Sequence, residues 1–149
     1  MTAHPPPWRY VATAQALDDE MRDRVARHRA GRDPGWTTRE APLNLAAALA
    51  EAASRPVLVD CLTLWLTNVI LGEHNLEACV AGLESALQSR EATTVLVANE
   101  VGYGIVPDNA LARRFRDEAG RLNQRMARLA GRVVLVVAGI PVTVKAPHG

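Results

Sequence analysis

Short apolar runs alternate along the chain with longer segments in which apolar residues recur every three or four positions. Short β-branched runs are typical of buried parallel strands, and the longer periodicity is typical of helices that cover them. The apolar runs predict strands at 8–12, 56–60, 93–98, 132–138 and 142–145. The periodic segments predict helices at about 16–30, 42–54, 62–71, 75–90 and 109–130. This alternation indicates an α/β fold with a mostly parallel sheet flanked by helices.

Composition narrows the class of protein. With 149 residues, 48% of them hydrophobic, the chain has the size of one domain, and we expect residues 1–149 to form a single α/β domain. Seventeen basic and sixteen acidic residues give a net charge of +1, which argues against a nucleic acid partner. The chain shows no signal peptide, and its apolar stretches are shorter than the roughly 20 residues of a membrane span. We therefore expect a cytoplasmic protein with no membrane partner.

Polar residues at the predicted strand ends are the first candidates for chemistry. Ligands of open parallel sheets bind beyond the carboxyl ends of the strands. The four informative ends are Thr13–Gln15, Asp60, "NEVGYG" at 99–104 and "AGIP" at 138–141. Asp60 closes an apolar run, as does the Walker B carboxylate that holds Mg²⁺ in P-loop proteins. A helix N-cap is the commoner role for such an aspartate, so both readings stay open.

His28 is the second candidate. At about 100° per residue, it falls about 20° from Leu17 around the predicted first helix, on the apolar stripe. A half-buried structural histidine is the commoner role there. However, four arginines surround it in sequence, namely Arg24, Arg27, Arg29 and Arg32. Their positive potential disfavours imidazolium and favours a neutral, nucleophilic ring, and their guanidinium groups could bind a polyphosphate.

Four segments together resemble one enzyme family. They read "VATAQALDDEMRDRVARHRAGRDPGW", "VLVDCLTLWLTN", "NEVGYGIVPDNALARRFRDEAGRLNQRMA" and "VAGIPVTVK". This series is similar to the bifunctional adenosylcobinamide kinase / adenosylcobinamide-phosphate guanylyltransferase family of cobalamin biosynthesis, over nearly all of 8–145 and in the family's order. The resemblance implies a P-loop NTPase-like, RecA-like fold and a homo-oligomer, specifically a trimer.

The resemblance also implies an activity and a set of site residues. Such an enzyme phosphorylates adenosylcobinamide with ATP or GTP. It then transfers GMP from GTP, through a guanylylated histidine, to adenosylcobinamide phosphate, which gives adenosylcobinamide-GDP. By resemblance the nucleophile is His28, and Mg²⁺ is bound through Asp60. The implied GTP contacts are Ala12, Thr13, Ala14, Arg29, Ala30, Gly31, Arg32, Glu40 and Asp60.

The start of the chain departs from the family pattern. The family opens with a strand and a G-x-x-x-x-G-K-[ST] loop that binds nucleotide phosphates. Here only "MTAHPPP" precedes the strand at Trp8, and the single lysine is Lys145. We therefore expect the family's first strand and P-loop to be missing, and the chain as given to be a poor kinase. Two alternatives stay open: an inactive or binding-only remnant of the family, and another α/β nucleotide-dependent transferase.

Overall fold

The computed structural model describes residues 4–15 and 33–147. Within it the chain divides into two compact units, Met1–Asn99 and Glu100–Gly149. Each unit has its own secondary structure and is described by itself. That the whole chain forms a single domain stays a prediction, and the helix predicted at 16–30 lies outside the described residues.

The first unit contains a parallel sheet of four strands. They are β1 (Trp8–Ala12), β2 (Trp36–Glu40), β3 (Val57–Asp60) and β4 (Thr94–Val97), in the order β2-β1-β3-β4. Each neighbouring pair is parallel. The predicted α/β fold with a mostly parallel sheet is confirmed, and three of its strands lie where the apolar runs placed them.

Strand β2 was not predicted. Its sequence, "WTTRE", has one apolar residue in five, and Thr37, Arg39 and Glu40 are exposed. It lies at the edge of the sheet and pairs only with β1 among the described strands. An edge strand is held by backbone hydrogen bonds on one side and can carry polar side chains, so the apolar signal of a buried strand is absent.

Among the described residues of this unit, three helices follow the strands. They are α1 (Leu45–Glu51), α2 (Leu62–Leu71) and α3 (Leu76–Gln88). Helix α3 begins after Asn75, whose side chain accepts a hydrogen bond of 3.0 Å from the backbone N–H of Ala78. This is the N-cap that satisfies one of the unpaired donors of a first turn.

One face of the sheet belongs to the core. Val11, Val57 and Val59 alternate with the residues of the other face and are fully buried. The helices contribute equally buried side chains, chiefly Leu45, Leu49, Leu62, Trp65, Leu66 and Leu83. Because side chains alternate along a strand, Tyr10, Ala12 and Asp60 lie on the opposite face. That face carries the candidate site.

In residues 100–147, the second unit has one helix and a hairpin. Helix α4 spans Ala110–Leu129, and the strands β5 (Val133–Val137) and β6 (Ile140–Lys145) pair antiparallel. The Lys145 ammonium donates to the carbonyl oxygens of Ala127 at 2.9 Å and Arg128 at 3.3 Å. Lys145 thus joins β6 to the C-terminal end of α4, where a positive charge is favourable.

A strand ends before "AGIP" as predicted, but it pairs antiparallel in a two-stranded sheet and is not a strand of the four-stranded parallel sheet, and a ligand contact there stays a prediction. Ala138 and Gly139 have φ of 51° and 78° and form the two-residue turn of the β5–β6 hairpin. Two-residue hairpin turns with positive φ at both positions match the twist of the flanking strands. Alanine is unusual in this conformation, so the sequence gives little sign of the turn.

Candidate functional site

Three predicted site residues lie in one row at the carboxyl end of the parallel sheet. Ala12 on β1 pairs in register with Glu40 on β2 and with Asp60 on β3. Residues paired in this way share a face of the sheet, and neighbouring strands lie about 4.8 Å apart, so Glu40 and Asp60 are about 10 Å apart at the backbone. The structure therefore brings two carboxylates to either side of a small residue, at the edge where α/β sheets bind ligands.

Asp60 is held by a tyrosine on the neighbouring strand. The Tyr10 hydroxyl donates a hydrogen bond of 2.5 Å to Oδ2 of Asp60. Tyr10 is only 6% exposed. It precedes Ala12 by two positions, which places it on the same face as Asp60. The N-cap of α2 is Cys61, and no side-chain hydrogen bond caps this helix. Asp60 thus does not fill the N-cap role that the sequence had left open.

Aromatic packing fixes the Tyr10 ring. The Trp36 ring of β2 meets it edge-on, with 6.2 Å between ring centroids and 81° between planes. Trp36 in turn packs against Trp8, with centroids 5.4 Å apart. Edge-to-face aromatic pairs stabilise beyond the area they bury. The phenol that contacts Asp60 is therefore carried on a well-packed ring.

Thr13 locks the ends of β1 and β3 together. Its hydroxyl donates to the Cys61 carbonyl at 2.7 Å and accepts from the Cys61 N–H at 2.8 Å. Its own N–H donates to the Asp60 carbonyl at 3.1 Å. Thr13 has no exposed surface, so its hydroxyl fixes these strand ends rather than facing solvent. The predicted GTP contact at Thr13 stays a prediction, and so do those at Ala12 and Ala14.

Asn68 connects these strand ends to the segment after β2. Its amide nitrogen Nδ2 donates to the carbonyl oxygens of Thr13 at 2.8 Å and Pro42 at 3.0 Å. Sequence reasoning missed both Asn68 and Tyr10. One signal was available for Asn68, since it is a polar residue inside the apolar helical run "LTLWLTNVIL". A half-buried amide favours hydrogen-bond partners within the chain, and the segments that follow β1 and β2 supply them.

The carboxyl end of β4 is joined to the same helix. The backbone N–H of Asn99 donates to the Thr63 hydroxyl at 2.8 Å. Thr63 lies in the first turn of α2, five residues before Asn68. Helix α2 therefore contacts the ends of β1 and β4 and the segment after β2, which sets the geometry of the row.

Several predicted site residues cannot be placed. His28, Arg29, Ala30, Gly31 and Arg32 lie outside the described residues. Their proposed roles therefore depend on the sequence alone.

The carboxylates at this edge fit a magnesium ion. No group of three or more His, Cys, Asp or Glu side chains is placed to hold a metal within 4–15 and 33–147. Mg²⁺ does not need such a group, because it is usually bound by one or two carboxylates together with substrate phosphates and waters. Asp60, half-buried at the strand end, can supply a ligand of that kind.

In the part of the chain that the structure describes, no helix combines the length and apolarity that crossing a bilayer requires.

Comparison with known proteins agrees with the motifs. The family model described as cobinamide kinase / cobinamide phosphate guanyltransferase matches residues 1–144. The bifunctional adenosylcobalamin biosynthesis protein CobP of Pseudomonas aeruginosa is 49% identical over 140 residues, which cover 91% of this chain and 81% of that protein. The bifunctional adenosylcobalamin biosynthesis proteins CobU of Salmonella typhimurium and Escherichia coli are each 42% identical to it, over 91% of this chain and 84% of their own length. The chain therefore belongs to the cobinamide kinase / cobinamide phosphate guanyltransferase family, and the predicted resemblance is confirmed.

Proposed function

We propose that this protein phosphorylates adenosylcobinamide and transfers GMP from GTP to adenosylcobinamide phosphate, in cobalamin biosynthesis. The observation that carries the proposal is the row of Glu40, Ala12 and Asp60 at the carboxyl end of the sheet in a chain of this family. Membership in the family favours this activity over that of another α/β nucleotide-dependent transferase.

The row supplies the parts of a nucleotide site. Asp60 would hold Mg²⁺, which would neutralise charge on the nucleotide phosphates. Glu40 accepts hydrogen bonds from the guanine base or the ribose hydroxyls. Ala12 and Ala14 have small side chains, so the nucleotide can approach the backbone after β1. The contacts of Thr13 and Asn68 hold these backbone segments at fixed spacing.

His28 carries the guanylyl group in this proposal. Its neutral imidazole attacks the α-phosphorus of GTP, the bond to the β-phosphate oxygen breaks, and pyrophosphate leaves. The modified ring loses its N–H proton to solvent. A phosphate oxygen of adenosylcobinamide phosphate then attacks the same phosphorus and breaks the P–N bond. The products are adenosylcobinamide-GDP and His28, which regains a proton. Arg29 and Arg32 bind the phosphates during both steps.

Covalent labelling tests the histidine. The full chain, incubated with α-labelled GTP and Mg²⁺, should carry a label that acid removes and alkali does not, as expected of a phosphoramidate. His28→Ala should abolish the label. His74→Ala, at an exposed position on another segment, is the matched control and should keep it. A label that persists in His28→Ala would refute the assignment, whereas GTP binding without any label would favour the binding-only alternative.

The kinase step needs a separate assay. Phosphorylation of adenosylcobinamide by ATP or GTP requires no covalent histidine, so His28→Ala should retain whatever kinase activity the unmodified chain shows. Loss of both activities together in a folded His28→Ala would contradict the division of roles. By the same family resemblance we propose a homo-oligomer, a trimer, which analytical ultracentrifugation would measure.

A further inference from the structure

We propose that Tyr10 is a positioning residue for nucleotide binding, acting through Asp60. The inference rests on the proposed function, because it assumes that Asp60 binds the Mg²⁺–nucleotide complex. Tyr10 was not among the residues that sequence or family resemblance assigned to the site. Its hydroxyl lies 2.5 Å from Asp60 Oδ2, across two adjacent strands.

The contact limits the freedom of the carboxylate. An aspartate side chain at a strand end rotates about two bonds, and the second has a broad energy profile. The Tyr10 hydroxyl, on a ring that is 6% exposed and packed against Trp36, gives Oδ2 a fixed partner. The other oxygen, Oδ1, is not used by this bond. Tyr10 thereby orients the carboxylate before the ligand arrives, which reduces the ordering cost of binding.

The chemistry of the donor suits this role. A phenol is a neutral donor, so it orients Asp60 without cancelling its negative charge. An arginine or lysine in the same place would hold the carboxylate equally well but would compete with a metal ion for it. The Tyr10–Asp60 hydrogen bond therefore adds no positive charge to the site and restricts the position of the carboxylate.

A different explanation must be separated from this one. A buried tyrosine hydroxyl needs a hydrogen-bond partner, and in this alternative Asp60 only satisfies the Tyr10 hydroxyl and has no role in binding. In that case Tyr10→Phe would change the stability of the fold and leave nucleotide affinity almost unchanged. A binding measurement in two backgrounds distinguishes these cases.

The decisive experiment is a double-mutant cycle of GTP affinity. Titration calorimetry with GTP and Mg²⁺, and Mn²⁺ binding by electron paramagnetic resonance, would compare the unmodified chain with Tyr10→Phe, Asp60→Asn and the double variant. Tyr10→Phe should weaken binding by about threefold to tenfold, because only part of the free energy of one hydrogen bond to a charged group reaches the ligand through the orientation of Asp60. In the Asp60→Asn background it should have almost no further effect. The matched control is Tyr103→Phe, at the other tyrosine, which is 80% exposed.

Each outcome has one meaning. If Asp60→Asn leaves binding unchanged, the proposed nucleotide site is wrong. If Asp60→Asn weakens binding but Tyr10→Phe resembles Tyr103→Phe, only the positioning role is overturned. An equal effect of Tyr10→Phe in both backgrounds would also overturn it, since Tyr10 would then act independently of Asp60.

A spectroscopic measurement covers the case in which Tyr10→Phe does not fold. The chain can be labelled with 3-fluorotyrosine at its two tyrosines, and Tyr103→Phe leaves a single fluorine signal at position 10. That signal should move when Asp60→Asn is introduced, and again when Mg²⁺ and GTP are added. A signal that stays in place under both changes would refute the proposal.

Discussion

The two ends of the parallel sheet use polar side chains in different ways. At the carboxyl end, Tyr10 bonds one oxygen of the half-buried carboxylate of Asp60. At the amino end, the Arg90 guanidinium donates to the chain's own acceptors, namely the carbonyl oxygens of Leu49 at 2.6 Å, Ala53 at 3.0 Å and Arg55 at 2.7 Å, and Thr94 Oγ1 at 3.0 Å. Three of these acceptors lie at or just beyond the C-terminal end of α1, where a cation is favourable.

The comparison shows how to separate structural from functional polar groups. Arg90 lines a cavity of about 630 Å³ together with Leu49, Ala53, Ala86 and Ser89. Cavity size alone would point to a ligand site there. However, four of the five guanidinium N–H groups are already used within the chain, so Arg90 has little capacity for a ligand. The carboxyl end has the reverse arrangement, because its hydrogen bonds hold an acidic group in place without neutralising it.

The largest expected loss of stability comes from removing the Thr13–Cys61 hydrogen bonds at the carboxyl end of the sheet. Thr13→Val removes a hydroxyl and keeps the shape of the side chain. The Cys61 N–H and carbonyl would then lose their Thr13 partner in a buried setting. We expect the free energy of unfolding to fall by about 2–4 kcal/mol, the cost of leaving such groups unpaired. Urea denaturation measures it, and GTP affinity of the folded fraction should fall as well.

Thr143→Val is the control for this change. Thr143 is exposed on β6, so the same substitution there should alter stability by less than about 0.5 kcal/mol. Equal losses at the two positions would show that the Thr13–Cys61 contacts do not hold the strand ends.

The same contrast explains what the sequence could predict. Strands β1 and β3 and helix α2 matched their predicted ranges closely, since each is a continuous apolar or periodic run. Strand β2 escaped detection because an edge strand need not be apolar. Asp60 was found because it ends an apolar run, a feature that is visible locally.

The partners of the site residues were not predictable. Tyr10 is 50 positions from Asp60 in sequence, and Asn68 is 55 positions from Thr13. Their contacts depend on which strands are neighbours and on the register between them. Periodicity within a strand carries no information about register across strands. The roles of Tyr10 and Asn68 are therefore visible only in the three-dimensional arrangement of the strands.

At the amino end of the sheet, the hydrogen bonds of Arg90 should contribute less to stability than those of Thr13. Arg90→Met keeps the aliphatic stem and removes the guanidinium. Burial lowers the pKa of Arg90, which is the direction expected for a cation partly removed from water. The side chain is only half-buried, and water can replace some of its contacts. The free energy of unfolding should therefore fall by about 1–2 kcal/mol.

GTP affinity and the conservative variant Arg90→Lys distinguish a structural role of Arg90 from a role in ligand binding. GTP affinity of folded Arg90→Met should stay within about twofold of the original, in contrast to Thr13→Val. Arg90→Lys should recover only part of the stability, because an ammonium lacks the planar fork that reaches several carbonyls. A large loss of GTP affinity at unchanged stability would make Arg90 a ligand-binding residue and break the contrast between the two ends.

The smallest expected effect concerns an exposed ion pair between β2 and α1. Arg39 donates through Nε to Glu51 Oε2 at 2.9 Å and through Nη2 to Oε1 at 3.2 Å. The hydrogen bond from Arg39, and then its charge, lower the pKa of Glu51 below its usual value. A carboxyl group with a lowered pKa in the folded state stabilises the fold above its unfolded pKa, and this contribution disappears as pH falls through the folded pKa.

Glu51→Gln should therefore lower the melting temperature at about pH 7 and make no difference at about pH 2, where the carboxylate is protonated in both states. The shift should be at most about 1 °C and should shrink in high salt, because both side chains are solvated and such pairs contribute little. Glu91→Gln, at another exposed glutamate, controls for the loss of one negative charge. If Glu51→Gln lowered the melting temperature equally at low pH, the cause would be disturbed packing by the glutamine and not the loss of the ion pair. If Glu51→Gln lowered the melting temperature as much as Thr13→Val, the exposed ion pair would contribute as much as the fully buried Thr13 hydroxyl. Solvent exposure would then not determine the order of the Thr13, Arg90 and Glu51 contacts.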